Sequence, residues 1–295
     1  MALLKMGVAV TAVLSLSFLA EAVSPRFAGI MSGYPLGAAI TLFFEGYEIS
    51  PGFASEGALY TAVGLIATQA SAYGYFRFSI LTKGLSRAPR VGISALGGLL
   101  FFFPAAVLVR LLRVNLVTAA FFPSISVLFF IFLFRGVQNV SIEKKSNAGI
   151  GSLLMKAFFA AVIVFAATFS AKAVGSAWAG IFAAFPMTML PAAMIIHFTH
   201  GPEHVQAYLK NVPKGLGSAI VYSLSLRIFY PLYGVFGGTL ICYAFATCYL
   251  AILSLRIPVK SSFRKEGAMM KEKLQTGDKP ATKIRSVVDY FRTRL

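Results

Sequence analysis

Long apolar segments separated by short polar ones follow one another along most of the chain. The apolar runs are continuous and do not alternate with polar positions, which is typical of buried helices rather than barrel strands. A hydrocarbon layer about 30 Å thick needs roughly 20 apolar residues per helix. The pattern predicts an all-α, polytopic transmembrane helical bundle of about nine helices, at 6–22, 27–44, 57–80, 91–109, 114–134, 153–171, 177–197, 214–230 and 232–254.

Composition supports a membrane protein and excludes an ordinary soluble domain. Apolar residues make up 58% of the chain and charged ones 13%, and the mean hydropathy is +0.77. Much of the net charge of +17 falls in residues 256–295, which we interpret as a basic cytoplasmic tail beside anionic lipid. We therefore expect an integral inner (plasma) membrane protein whose partner is membrane lipid and not nucleic acid.

The chain contains an internal repeat with an offset of 151 residues. From Leu3 to Leu36, twelve of 34 positions are identical to their partners without a gap, including Lys5/Lys156, Ala28-Gly29-Ile30/Ala179-Gly180-Ile181 and Pro35/Pro186. The match continues more loosely, and Arg77 falls on Arg227 after a one-residue slip. We predict a first repeat at 1–112, a linker helix and cytoplasmic loop at 113–151, and a second repeat at 152–255.

The helix count predicts that the two repeats have opposite orientations. Four helices plus the linker helix make five, so the second repeat enters the membrane inverted, as in many secondary transporters. With the tail cytoplasmic, the N-terminus is outside. The outer segments then carry three basic residues and the cytoplasmic loops nine, in agreement with the positive-inside rule: Arg26, Lys83, Arg87, Arg90, Arg135, Lys144, Lys145, Lys210 and Lys214.

Two lone charges occupy equivalent positions in the repeats. Glu21 and Lys172 each stand just before the second helix of their repeat. A charge inside a membrane is costly, so such residues pair or face water. The two side chains either share a central cavity or lie in opposite headgroup layers.

The second helix of each repeat carries a proline in its middle, Pro35 and Pro186. Proline removes a backbone donor, and interruptions at corresponding places in two halves point to a transport site. Routine proline kinks with close small-residue packing are the alternative. Arg77 and Arg227 either extend to opposite membrane surfaces or face a cavity and attract an anion.

Other chemistry is sparse. The segment 200–204, HGPEH, matches an inverted zinc-peptidase pattern, but Gly201 and Pro202 inside it favour a loop before a helix. Glu45, Glu48 and Glu56 are expected in a solvated loop. We expect no metal, no cofactor and no catalytic residues, and hence no enzyme.

The second repeat resembles the GlpM-like family of small membrane proteins. The resemblance is carried by Ala179-Gly180, Phe185-Pro186 and residues 197–205, and more weakly by Ala28-Gly29 and Tyr34-Pro35. Such proteins have roughly four helices, so the resemblance implies a fused tandem of two four-helix units. It implies architecture and no activity.

These features together favour a small secondary transporter for an anionic or zwitterionic solute. The candidate substrate or ion-binding residues are Glu21, Lys172, Pro35, Pro186, Arg77 and Arg227. A lipid or polyprenyl-phosphate translocase and a membrane assembly subunit are the alternatives, and a homodimer is left open.

Overall fold

The computed structural model describes residues 25–140 and 175–256, together with Gly7 and Thr11. Within these residues the chain is helical and contains no strand. The chain divides into a large unit, Met1–Leu250, and a C-terminal unit, Ala251–Leu295. The C-terminal unit is described only as the last residues of a helix that ends at Arg256.

Seven helices have bounds within the described ranges, and residues 175–183, which we label α6, are also helical. The seven are α1 Pro25–Met31, α2 Leu36–Glu48, α3 Pro51–Leu81, α4 Arg87–Arg110, α5 Leu116–Leu133, α7 Met189–His200 and α8 Pro202–Arg256.

The sequence-based spans agree with these helices in part. Those at 57–80, 91–109 and 114–134 correspond to α3, α4 and α5. Those at 27–44 and 177–197 each correspond to two shorter helices separated by a non-helical segment. The predicted spans 6–22 and 153–171 lie outside the described ranges, apart from Gly7 and Thr11, so the count of nine stays a prediction.

Helix α8 contains two of the predicted spans in one element of 55 residues. It folds back on itself at Gly234, where φ is 68° and ψ is −175°, a conformation open essentially to glycine alone. The Tyr249 hydroxyl donates to the Lys214 carbonyl over 3.3 Å, and the Tyr222 and Tyr243 rings lie 5.1 Å apart. Residues 202–233 and 235–250 are therefore two antiparallel legs.

Local sequence explains where α3 and α5 begin. The Ser50 side chain accepts a hydrogen bond from the Phe53 amide over 3.0 Å. Pro51 follows at the first helical position, where an amide hydrogen would have no partner within the helix, so its absence in proline costs nothing. At α5, Asn115 and Thr118 form a reciprocal capping box. These caps fix the chain entry into two long apolar helices.

The course of the helices follows from a series of close contacts. Along α1 and α2, Gly29 packs on Tyr208, Gly33 on Gly215 and Gly46 on Tyr230, so this segment runs parallel to the first leg of α8. Helix α3 runs back along α2, since Gly46 meets Ala54 and Gly57 meets Leu42. Helix α3 and the first leg of α8 are consequently antiparallel.

Charged residues collect at two opposite ends of this bundle. Helix α3 begins at the end that we call the acidic end, where the Arg227 guanidinium donates to Ser55 over 2.7 Å. Helix α3 finishes at the basic end, where Gln206 donates to Ser79 over 3.2 Å. The acidic end holds Glu45, Glu48, Glu56, Arg110, Arg113 and Arg227, and the basic end holds Arg26, Lys83, Arg87, Arg90, Arg135, Lys210 and Lys214.

The outer surface of the described helices is strongly apolar. Among the described residues, four segments are helical over most of their length and are long and apolar enough to cross a membrane: Arg26–Glu48, Arg87–Arg110, Leu116–Leu133 and Pro202–Leu253. Large side chains such as Leu100, Val117, Leu128 and Leu240 are more than half exposed on them. An apolar surface of this extent is suited to contact with lipid rather than water, which supports the predicted integral membrane protein.

Candidate functional site

The first proline-containing segment is a full interruption and not a kink. Residues 32–35 separate α1 from α2, and Pro35 precedes the first residue of α2 without a side-chain cap. The Gly33 amide donates a hydrogen bond to the Ile30 carbonyl, and the Tyr34 amide donates one to the Met31 carbonyl. The carbonyls of Ser32 and Gly33 thereby leave the helical pattern and need other donors.

The second proline-containing segment is interrupted at the corresponding place. Residues 184–188 separate α6 from α7, and Pro186 lies buried in the middle of them. The Phe185 amide donates to the Phe182 carbonyl over 3.0 Å, and the Ala184 carbonyl faces away toward α3. We call the two predicted repeats the two halves of the chain. Each half therefore contains one discontinuous helix, where the sequence predicted one proline-bent helix.

Hydroxyl groups from the long helices satisfy the displaced carbonyls. The Ser218 hydroxyl of α8 donates to the Gly33 carbonyl over 3.0 Å. The Thr68 hydroxyl of α3 donates to the Ala184 carbonyl. Under a 150-residue offset Thr68 falls on Ser218, and under the 151-residue offset Gly33 falls on Ala184. The same hydrogen bond is thus made twice, each time from one half to the other.

The two interruptions lie against each other in the middle of the bundle. The Thr188 hydroxyl donates to the Ser32 carbonyl over 3.2 Å, and Gly37 packs against the Met187 side chain. The Tyr208 hydroxyl donates to the Met189 carbonyl over 3.3 Å, which joins α8 to the start of α7. Irregular backbone at membrane depth is tolerated when it is buried in protein or lines a cavity. The meeting of residues 32–35 and 184–188 is the candidate functional site.

The candidate site is shielded from the bundle's outer surface. Gly33, Pro35, Pro186 and Met187 are all buried. Ser71, one turn beyond Thr68 on α3, has a buried hydroxyl with no hydrogen-bond partner in the described part of the chain. This buried surface is mainly apolar with a few polar groups.

The structure brings together two of the six residues predicted for the site, Pro35 and Pro186. Arg77 and Arg227 are exposed on α3 and α8, toward the basic and acidic ends respectively, and not at the interruptions. Glu21 and Lys172 lie outside the described residues.

Several polar residues near or between the halves were not singled out by the sequence. Thr68 and Ser218 are single hydroxyls in long helices and Thr188 lies in the second interruption, and no spacing in the sequence distinguishes them. His197 is 2% exposed at the basic end of α7, and its Nδ1 lies 3.2 Å from the Tyr75 hydroxyl of α3. The correspondence of Thr68 with Ser218, under the 150-residue offset that follows the one-residue slip, was the available signal for the hydroxyl pair.

The expected solvated glutamate loop is wrong in two respects: all three glutamates lie in helices, and one of them is buried. Glu45 lies within α2 and is 1% exposed, and Glu48 ends the same helix, while Glu56 is exposed in α3. The sequence pattern failed here because α2 continues for a turn beyond the predicted span. Elsewhere, Pro202 is the first residue of α8, as expected, and Gly201 precedes it with φ 90°.

Residues 200–204 do not form a metal site with their described neighbours. Across residues 25–140 and 175–256, no group of three His, Cys, Asp or Glu side chains is arranged to hold a metal ion. His200 and His204 have ring centroids 5.6 Å apart on either side of the α7–α8 junction.

Comparison of the chain with protein-family models, with curated protein sequences and with solved structures found no match. The resemblance to the GlpM-like family therefore stays a prediction that rests on the short motifs given above.

Proposed function

We propose that this chain is a small secondary transporter of two inverted repeats, with its substrate site where the two interrupted helices meet. The observation that carries the proposal is the contact between residues 32–35 and 184–188. This contact places the N-termini of α2 and α7 beside one another. In secondary transporters, discontinuous helices at the interface of inverted repeats form the substrate and ion sites.

The course of the helices supports the inversion. By sequence offset, α3 corresponds to the first leg of α8, and these two run antiparallel. The interrupted helices also run in opposite senses: α1 and α2 pass from the basic to the acidic end, whereas α6 and α7 pass from the acidic to the basic end. The same holds for α4 and the second leg of α8.

The pairing of the two halves supports alternating access. Each interrupted helix packs on a long helix of the other half through small residues, Gly33 against Gly215 and Ala184 against Gly64. These contacts are related by the same 151-residue offset. Two equivalent halves around one shared site are what a rocking mechanism requires.

The charge distribution supports a cytoplasmic basic end. The seven described basic residues that the sequence assigns to the cytoplasm lie at one end of the bundle. Segments rich in Lys and Arg remain on the cytoplasmic side. We propose a small anionic or zwitterionic solute as substrate, because the half-helix starts of α2 and α7 carry partial positive charge.

Transport by purified protein in liposomes tests the proposal. We expect some small acidic or zwitterionic metabolite to move down its gradient. Pro186→Ala, which removes the proline of the second interruption, and Lys172→Ala should each lower the rate severalfold while folded protein remains in the membrane. Pro104→Ala is the matched control, because Pro104 is exposed within α4 and far in sequence from either interruption.

Two results would replace the proposal with one of its rivals. Movement of a labelled phospholipid between leaflets, without solute uptake, would indicate a translocase. Absence of uptake and of any stabilising ligand, together with loss of a partner protein in Lys172→Ala cells, would indicate an assembly subunit.

A further inference from the structure

A group of three cations lies at the basic end, and one of them, Lys214, directly precedes Gly215, which packs on the first interruption. Arg26 stands near the start of α1, and Lys210 and Lys214 are one turn apart on α8. We call these three residues the basic cluster. Helix α1 is held against this part of α8 by the close packing of Gly29 on Tyr208 and Asn211. The three charged side chains therefore come from two helices that cannot separate without losing that contact.

Neighbouring polar groups hold the two lysines in place. The Lys214 ammonium donates to the Asn211 Oδ1 over 3.2 Å, and the buried Asn211 amide donates in turn to Asn139 over 3.1 Å and to the Ala207 carbonyl over 2.8 Å. The Lys210 ammonium donates to the Val137 carbonyl. Each ammonium has three donors, so these contacts leave donors on both lysines for a ligand.

The positive charges of the basic cluster are uncompensated within the described residues. Arg26 and Lys210 both repel the Lys214 ammonium, which is half-buried. The Arg26 Nε is buried and makes no hydrogen bond to the described residues. Of the four described carboxylates, Glu45, Glu48 and Glu56 lie at the acidic end, and Glu203 is exposed about two turns before Lys210.

We propose that the basic cluster binds a phosphate group. A guanidinium offers a planar pair of donors to an oxyanion and an ammonium acts as a compact point charge, so one Arg and two Lys suit a ligand that carries up to two negative charges. The phosphate belongs either to a soluble anion or to a phospholipid of the adjacent leaflet. The inference concerns binding at the basic end and does not depend on the proposed transport.

Thermal unfolding of the full-length protein in uncharged detergent tests this site. Inorganic phosphate is titrated against sodium chloride at matched ionic strength, and a short-chain phosphatidylglycerol is titrated against the corresponding phosphatidylcholine. We expect phosphate or phosphatidylglycerol to raise the melting temperature. Protection by phosphate assigns the site to a soluble anion, and protection by the lipid alone assigns it to a headgroup.

Variants connect that protection to the basic cluster. Arg26→Gln and Lys214→Gln should each weaken the protecting ligand about tenfold or more, since one charged hydrogen-bond partner is lost. Lys83→Gln is the control, because Lys83 is an exposed base at the same end. Without ligand, Arg26→Gln should melt no lower than the parent protein, because it relieves repulsion. Equal protection of parent and Arg26→Gln proteins, or no protection beyond that of chloride, would overturn the proposal.

Discussion

At the scale of single residues, the contact between the halves depends on glycines, which have no side chain to separate the two backbones. A Cβ on Gly215 would overlap the Ile30 carbonyl oxygen, and one on Gly33 would overlap the backbone of Gly215. Glycine is needed here for close approach of two helices and not for its backbone freedom. The backbone of α1 therefore touches that of α8 directly.

Gly215→Ala tests that close approach. We expect the substitution to force α1 away from α8 and to lower the free energy of unfolding by about 1–3 kcal/mol, the usual cost of overpacking. Gly92→Ala is the control, since Gly92 is exposed in α4 with open space around it. Chemical denaturation of both purified variants in the same detergent measures the difference, and equal stabilities would contradict the packing described above.

At this scale the sequence could predict Pro35 and Pro186, because proline is chemically distinct and recurs at one offset. It could not predict Thr188 as the residue that joins the two interruptions, since a single hydroxyl in an apolar helix commonly bonds to its own backbone. It also misplaced Glu45, because helix α2 continues past the last strongly apolar residue and buries a carboxylate that composition assigns to water.

At the scale of helices, an interruption is stable only when its displaced carbonyls find donors. In the described part of the bundle the long helices α3 and α8 supply two of these donors, each to the other half, and Thr188 of the second interruption supplies the donor for Ser32. An interrupted helix without such a donor would bury an unsatisfied carbonyl at a cost of about 1–3 kcal/mol.

Thr68→Val and Thr68→Ser separate the hydroxyl from the shape of the side chain. Valine preserves the branched shape but leaves the Ala184 carbonyl without its donor, so we expect a loss of about 1–3 kcal/mol in unfolding free energy. Serine keeps the hydroxyl and should lose less. The denaturation midpoints of the two variants measure the contribution of the hydrogen bond. A valine variant at least as stable as the serine variant would show that this contribution is small.

At the scale of the whole molecule, the proposed inversion of the two halves predicts where surface cysteines react. Gly52 and Gly84 are exposed at the two ends of α3, and Tyr233 is 60% exposed beside the turn of α8. In a variant lacking Cys242 and Cys248, single cysteines at positions 52 and 233 should label from one side of intact cells. A cysteine at position 84 should label from the other side.

That labelling also tests the repeat. The turn beside Gly84 joins α3 to α4, and the turn at Gly234 joins the corresponding helices of the second half. Labelling of positions 84 and 233 from the same side would contradict inverted repeats, whatever the result at position 52.

The helical class and the positions of most described helices could be predicted from apolar run lengths, since the hydrocarbon thickness fixes them. The 151-residue offset predicted two related halves. Which surfaces of those halves meet could not be predicted, because apolar helices of similar composition offer many packings. The contact of Ile30 with Gly215 and that of Ile181 with Gly64 became recognisable as equivalent only in three dimensions.

The crossed hydrogen bonds join residues far apart in the chain: Thr188 is 156 positions from Ser32, and Ser218 is 185 positions from Gly33. During synthesis the first half is made long before these partners exist. From residue 112, where the first predicted repeat ends, to residue 215 the ribosome adds 103 residues, which takes about 5–20 s at ~5–20 residues per second. Throughout that interval α1 and α2 lack the helix that packs on Gly29, Gly33 and Gly46 in the finished protein. The nascent first half must therefore wait, incomplete, in lipid or against the insertion machinery until α8 arrives.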